Sequence, residues 1–268
     1  MDNATRLQYL EAIGIDVWVP RHQPVAFPPA ADHPENTVEN VSWAEQPETQ
    51  QDKPSKQELS IPIETANTEF PQHSGSSQST HANDQIWKDL QQEVSLCRAC
   101  SLCETRTQTV FGVGNKQASW MLIGEAPGQN EDLQGEPFVG KAGQLLTEML
   151  RAIRLEREEV YIANMLKCRP PNNRDPQADE VAACNRFLQQ QIELIQPKII
   201  LAVGRIAAQN LLATQQPLAK LRGVRHELHN IPLIVIHHPA YLLRSLLEKA
   251  KAWSDLQFAL SVYQKLEK

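Results

Sequence analysis

Four short aliphatic runs constrain this chain more than anything else in it. They span 119–123, 160–163, 199–203 and 232–236 and are nearly free of polar side chains. Strands this apolar have to be covered on both faces. Between and after them the pattern is helical: 142–153, with Leu145, Leu146, Met149, Leu150 and Ile153 on one side, then 176–195, 206–212 and 245–266. Alternation of this kind implies strands lying side by side and parallel. The expected fold is α/β: a three-layer α/β/α sandwich with a central four-stranded parallel sheet.

Such a sheet collects its ligands at the carboxyl ends of its strands, and the unusual residues fall there. Gly124-Glu125 follows the first run, Asn164 the second and His237-His238 the fourth. One rim would thus receive a carboxylate, an amide and an imidazole. Gly124-Glu125-Ala126-Pro127-Gly128 adds a tight turn, and Pro137-Phe138-Val139-Gly140-Lys141-Ala142-Gly143 presents one aromatic among small residues. Neither stretch is a dinucleotide fingerprint or a Walker loop.

The folded region does not occupy the whole chain. Residues 22–84 are rich in Pro, Gln, Ser, Thr and Asn and hold ten Asp or Glu against two Lys. That composition reads as a disordered acidic tether. Its net charge is −8 where the whole chain's is −6; residues 1–21 carry −1, and 85–268 are left at +3. A weakly positive domain suits contact with a nucleic-acid backbone, which the whole-chain charge conceals. A helix over 85–94, capped by Asp84, is expected to open the domain. Ahead of the tether, 1–21 form an island of pattern (Leu7, Leu10, Ile13, Ile15, Val17, Trp18) too short to bury a core. Residues 5–20 read as a partner-binding peptide anchored by Trp18. No apolar run reaches the roughly eighteen residues of a membrane span. The opening Met1-Asp2-Asn3-Ala4-Thr5 lacks a basic region followed by an apolar run, and Cys is odd in number at five. A reducing, cytoplasmic setting and a monomer are expected.

Cys97 and Cys100 form a CxxC; Cys168 lies in Lys167-Cys168-Arg169-Pro170-Pro171, and Cys184 sits in the helix beyond. Four thiolates drawn this way can hold a metal centre, and spacing alone leaves zinc and a 4Fe-4S cluster both open.

Taken jointly, 124–128, 137–143, Asn164 with 167–171, and His238-Pro239-Ala240-Tyr241-Leu242-Leu243-Arg244 resemble the uracil-DNA glycosylase superfamily. The similarity is to its family 4, iron–sulfur type. It runs from Cys97 to about Trp253. The resemblance implies hydrolysis of the N-glycosidic bond of uracil in DNA, the first step of base excision repair, by a monofunctional enzyme. It implies a 4Fe-4S cluster on Cys97, Cys100, Cys168 and Cys184, with Cys103 a free thiol beside it. In the pocket, Gly124 and Ala126 would line the base, Phe138 would stack on it and Asn164 would pair with its edge. His238 would donate to uracil O2. Ala126 stands where better-known glycosylases carry an aspartate. The water would therefore fall to Glu125 or Glu131, with Asp132 close behind. Lys141, Lys167, Arg169, Arg174, Arg225 and Arg244 are the expected DNA contacts, and Tyr241 or Leu242 the wedge that fills the gap left by a flipped base. The N-terminal island resembles, over about a dozen residues, the chi-binding peptide of the psi subunit of bacterial clamp loaders, which implies a replication or repair partner. The alternative is a domain of this type turned into an iron–sulfur binding module of the replisome. The intact Phe138, Asn164 and His238 speak against it.

Overall fold

The computed structural model describes residues 78–267, with side chains from Asn83 onward. The 5–20 peptide and most of the tether lie outside the described residues. Helix α1 (Gln78–Leu96) leads into a 3-10 turn (Ser101–Glu104) and strand β1 (Val113–Gly114). Then follow β2 (Trp120–Gly124), α2 (Gln129–Gln134), α3 (Lys141–Ala152) and β3 (Tyr161–Asn164). The second half comprises α4 (Ala178–Ile195), β4 (Ile199–Val203), α5 (Arg205–Leu211), α6 (Leu218–Leu221), β5 (Arg225–Leu228) and β6 (Ile231–Ile236). It closes with α7 (Pro239–Leu242), a 3-10 turn (Leu246–Glu248) and α8 (Lys249–Leu266).

Among the described residues the sheet has six strands in the order β1-β3-β2-β4-β6-β5. The four aliphatic runs form its parallel centre, with Met121 beside Tyr161 and Ile200, and Ile200 beside Leu233. The expected count of four therefore misses two antiparallel edges, β1 on β3 and β5 on β6. Both escaped for a physical reason. β1 is two residues long, and β5 (Arg-His-Glu-Leu) has a half-exposed, alternating pattern instead of an apolar run. Its turn into β6, His229-Asn230, has positive φ at both positions (51° and 65°), the conformation that matches a hairpin's twist.

Alternate residues of each central strand feed opposite faces, as a pleated strand requires. Leu122, Ile162, Leu201 and Ile234 pack with Leu146, Met149, Leu150 and Leu256 under α3 and α8. Met121, Ile123, Ile200 and Val235 pack with Leu188, Ile192 and Ala208 under α4 and α5. Each buried Leu, Ile or Met contributes about 1.5–3 kcal/mol, so these two layers account for the sandwich. A third cluster joins α1 to α4 through Leu90, Val94, Leu102, Leu166, Phe187, Cys168 and Cys184. Helix α1 begins at Gln78, not 85, so Asp84 lies within it and caps nothing. Helix α4 starts two residues later than expected, where Gln177 and Glu180 satisfy each other's backbone N–H groups in a capping box.

Candidate active site and cysteine cradle

The carboxyl ends of β2, β3, β4 and β6 open onto one cleft of about 790 Å³, lined by Glu125, Phe138, Asn164, Gly204, Arg205 and His238, among others. Gly124 and Asn164 are partners across the last rung between β2 and β3. A Cβ on Gly124 would overlap Asn164 Oδ1 and lie 2.8 Å from Phe138 Cζ. Only glycine lets the amide and the ring approach the strand end so closely. On the far side Gly204 has φ +95°, and a Cβ there would lie 2.9 Å from His238 Cβ.

Phe138 has a positive φ of 55°, a strain of about 1–3 kcal/mol for a side-chain-bearing residue. The neighbouring backbone is held in place: Val139 and Gly140 donate their N–H groups to Glu131 Oε1 at 3.0 and 3.3 Å, and Arg157 Nη2 donates to Pro137 O at 2.6 Å. The Phe138 ring lies 5.7 Å from the His238 ring. Asn164 lines the same cleft, is 2% exposed, and its Oδ1 is buried without a hydrogen-bond partner. A buried amide oxygen left unpaired costs about 1–3 kcal/mol, so it calls for a donor from a ligand.

His238 caps α7, and its Nδ1 accepts the Ala240 N–H at 3.1 Å. That contact leaves the proton on Nε2. Burial, with help from Arg244, pushes the imidazole down to about 4, so it is neutral at physiological pH and still a donor. His237 is packed instead: 5% exposed, it stacks on Tyr241 at 5.4 Å. Burial, followed by the nearby charge of Asp175, raises the Glu125 carboxyl, while Arg205 acts the other way. Arg205 in turn pairs with Asp175 at 3.3 Å. Sequence reasoning passed over Arg205, although Gly204-Arg205 marks the end of the third run as plainly as the other strand ends are marked.

Two of the expected carboxylates have structural partners. Glu131 braces the Phe138 loop, as described. Asp132, 2% exposed, accepts the N–H groups of Thr107 and Gln108 and ties the segment after the cysteine loop to α2. Among the expected DNA contacts, Lys141 is exposed at the start of α3, and Arg174, Tyr241 and Arg244 line the cleft. Arg174 also pairs with the buried Glu180, 2.9 Å from Nη1 to Oε2. Arg169 donates to Asn173 Oδ1 at 2.7 Å. Arg225 is exposed on edge strand β5, paired with Glu227, and is not among the cleft's lining residues. Two expectations are overturned by burial. Lys167, 1% exposed, is enclosed with its ammonium bound to protein carbonyls and cannot reach a phosphate. Leu242, 1% exposed, packs in the core under α3 and cannot enter a duplex, whereas Tyr241 is 40% exposed. A motif shows that a residue is near the site, not which way it points.

All five cysteines line one second, smaller cavity between α1, the 97–106 loop, the 167–168 segment and α4. None is in a disulfide. Cys168 and Cys184 are buried and Cys97, Cys100 and Cys103 half-buried. Arg106 Nη1 donates to Cys168 Sγ at 2.9 Å and the Lys167 N–H to Cys184 Sγ at 3.3 Å. As free thiols Cys100, Cys168 and Cys184 are disfavoured from ionising, chiefly by burial, with Cys184 pushed up to about 11. Among the described residues no three Cys, His, Asp or Glu side chains are grouped to hold a single metal ion. A cluster with four irons needs no such convergence, because it spaces its thiolates around a body. The donor set, all sulfur with N–H groups aimed at two of the sulfurs, fits such a cluster.

Residues 111–257 match the model of the "Uracil DNA glycosylase superfamily". The chain belongs to the uracil-DNA glycosylase superfamily. It is 48% identical over 163 residues to the type-4 uracil-DNA glycosylase of Archaeoglobus fulgidus, an overlap covering 58% of this chain and 82% of that one. To the type-4 uracil-DNA glycosylase of Thermotoga maritima it is 42% identical over 167 residues, 62% and 87% of the two chains. Similarity to a type-5 uracil-DNA glycosylase, that of Thermus thermophilus, is lower at 32% over 119 residues. The superfamily's type-4 branch is thus the one this glycosylase chain resembles more. The matched span contains the whole cleft and two of the five cysteines, Cys168 and Cys184.

Proposed function

We propose that this chain hydrolyses the N-glycosidic bond of uracil in DNA, leaving an abasic site and so opening base excision repair. The carrying observation is the buried, unpartnered Oδ1 of Asn164, in the cleft that Phe138 and His238 also line. Uracil offers an N–H beside a carbonyl. Asn164 Oδ1 accepts N3–H while its NH₂ donates to O4. Cytosine presents the reverse pattern and would leave both partners unpaired in a buried site. The base reaches this depth only when flipped out of the helix, and Phe138 then covers its face.

As the C1′–N1 bond breaks, its electron pair moves onto the pyrimidine and the sugar takes on positive charge. The Nε2–H of neutral His238 donates to O2 and holds the developing anion. A water oxygen bonds to C1′ and its proton passes to a carboxylate; Glu125, at the end of β2 and only half-buried, is assigned that role. Glu131 keeps the Phe138 loop in position. Among the described residues the one lysine lining the cleft, Lys251, has its ammonium paired with Glu248 Oε1 at 2.8 Å, which favours an abasic product without strand cleavage.

Cys97, Cys100, Cys168 and Cys184 are proposed to hold a 4Fe-4S cluster, with Cys103 left as a free thiol. When bound, such a cluster cross-links the N-terminal loop to the segment after β3 and to α4. Release of uracil from an oligonucleotide carrying one dU, by anaerobically purified protein, tests the reading. Asn164→Ala and His238→Ala should each slow it by about 10²-fold or more, the usual loss for one donor to a developing anion. Wild-type protein that releases no uracil from either single- or double-stranded DNA would sink it.

A further inference from the structure

Lys167 sits three residues after Asn164 and directly before Cys168. Its side chain is fully enclosed, and its ammonium has no carboxylate partner among its hydrogen bonds. It donates instead to three carbonyl oxygens: Asn164 O at 2.9 Å, Gln191 Oε1 at 2.6 Å and Phe111 O at 3.2 Å. Three donors meet three acceptors, the full capacity of an ammonium. Gln191 is itself fixed, donating to Phe111 O at 2.9 Å and to the Tyr161 hydroxyl at 3.2 Å. The main chain of Lys167 is equally committed. Its N–H donates to Cys184 Sγ at 3.3 Å, and its carbonyl accepts the Val110 N–H at 2.8 Å.

A buried charge is an expensive way to fill space that an unbranched apolar side chain would fill. What the charge adds is direction, a fixed pull on the backbone carbonyl of Asn164. That carbonyl belongs to the residue whose amide is aimed, without a protein partner for its oxygen, into the cleft. The segment between the two is also tied to the pocket turn, Met165 N–H to Gly124 O at 2.9 Å and Leu166 N–H to Glu125 O at 3.0 Å.

We infer that Lys167 is the positioning residue for uracil recognition: its ammonium sets Asn164, and its main chain links that setting to the cysteine cradle through Cys184. The inference rests on the proposed excision of uracil. On it, the cradle's contribution to activity is mechanical and runs through one side chain. A displacement of less than an ångström at Asn164 is enough to weaken two hydrogen bonds that act together in the transition state.

The test compares full-length, anaerobically purified wild type, Lys167→Met, Asn164→Ala and the double variant. Iron per chain and the thermal transition are read beside kcat and KM on a dU oligonucleotide. Lys167→Met should keep wild-type iron and a cooperative transition, yet lose at least tenfold in kcat with KM changed less than threefold. In the double variant the loss should be no greater than in Asn164→Ala alone, because both changes remove the same interaction. Gln191→Met, which deprives the ammonium of one acceptor, should show the same pattern at smaller amplitude. Multiplying losses, or wild-type kcat in Lys167→Met, would overturn the inference. So would variants at 167 and 191 that both lose iron and cooperative melting, since that assigns Lys167 to the core alone. Failure of wild type to release uracil would instead remove the reading on which the inference rests.

Discussion

At the scale of single residues the cleft is a set of mutual constraints. Gly124 exists so that Asn164 and Phe138 can meet, and Gly204 so that His238 can lean inward. The two titrating groups are held in different states. His238, pushed down to about 4, stays a neutral donor at any pH above that value. Glu125 is raised from its ordinary value by burial and by Asp175. A base works only when ionised, so excision should fall as pH drops through the raised Glu125 value, while His238 is still neutral. Glu125→Gln should lower kcat and abolish that acidic limb, measured as kcat/KM against pH on a dU oligonucleotide. An unchanged limb in Glu125→Gln would move the role to another carboxylate. Gly124, Glu125, Asn164 and His238 were legible from sequence because strand ends in a parallel sheet share a rim, whereas Phe138, in the loop between α2 and α3, was found only through the family resemblance. Lys167 and Leu242 were misread because a basic or apolar residue inside a motif looks the same whether it faces solvent or core. Only the fold places Lys167 among three carbonyls.

At the scale of elements, the four aliphatic runs emerged as the parallel centre because continuous apolar character over four to six residues admits few other uses. The edges β1 and β5 stayed hidden because an edge strand has solvent on one side and can afford His226 and Glu227. The helix opening the domain was placed correctly but cut short at its amino end. The cysteine loop follows it, and the 3-10 turn Ser101–Glu104 carries Cys103, whose N–H donates to Cys100 O at 3.3 Å. Five thiols line the cavity, and the proposed cluster would take four, leaving one in excess. Cys103→Ser should keep full iron content and the broad absorbance near 400 nm of an iron–sulfur protein. Cys184→Ser, which removes the buried thiol proposed as a ligand from α4, should lose both. Loss of iron in Cys103→Ser would reassign the ligand set.

At the scale of the molecule, the sheet sorts its chemistry by end and by face. The carboxyl ends of the strands hold the cleft, and the cysteine cavity flanks it beside α1 and α4. The net positive charge of 85–268, hidden beneath the acid-rich stretch before it, belongs to the part that would meet DNA. Arg244 lines the cleft from an exposed position after α7. If it contacts a phosphate, Arg244→Ala should weaken binding to all sequences alike and flatten the dependence of log K on log salt by about 0.9. A titration across salt concentrations reads both. Among the described residues no helix is long and apolar enough to cross a membrane. The most direct test of the whole account is the free base released from two duplexes that differ only in dU or dC opposite dG, identified by mass. The account predicts free uracil from the first and no base from the second. No uracil from the first, or cytosine from the second, would contradict the assignment of Asn164 and the function built on it.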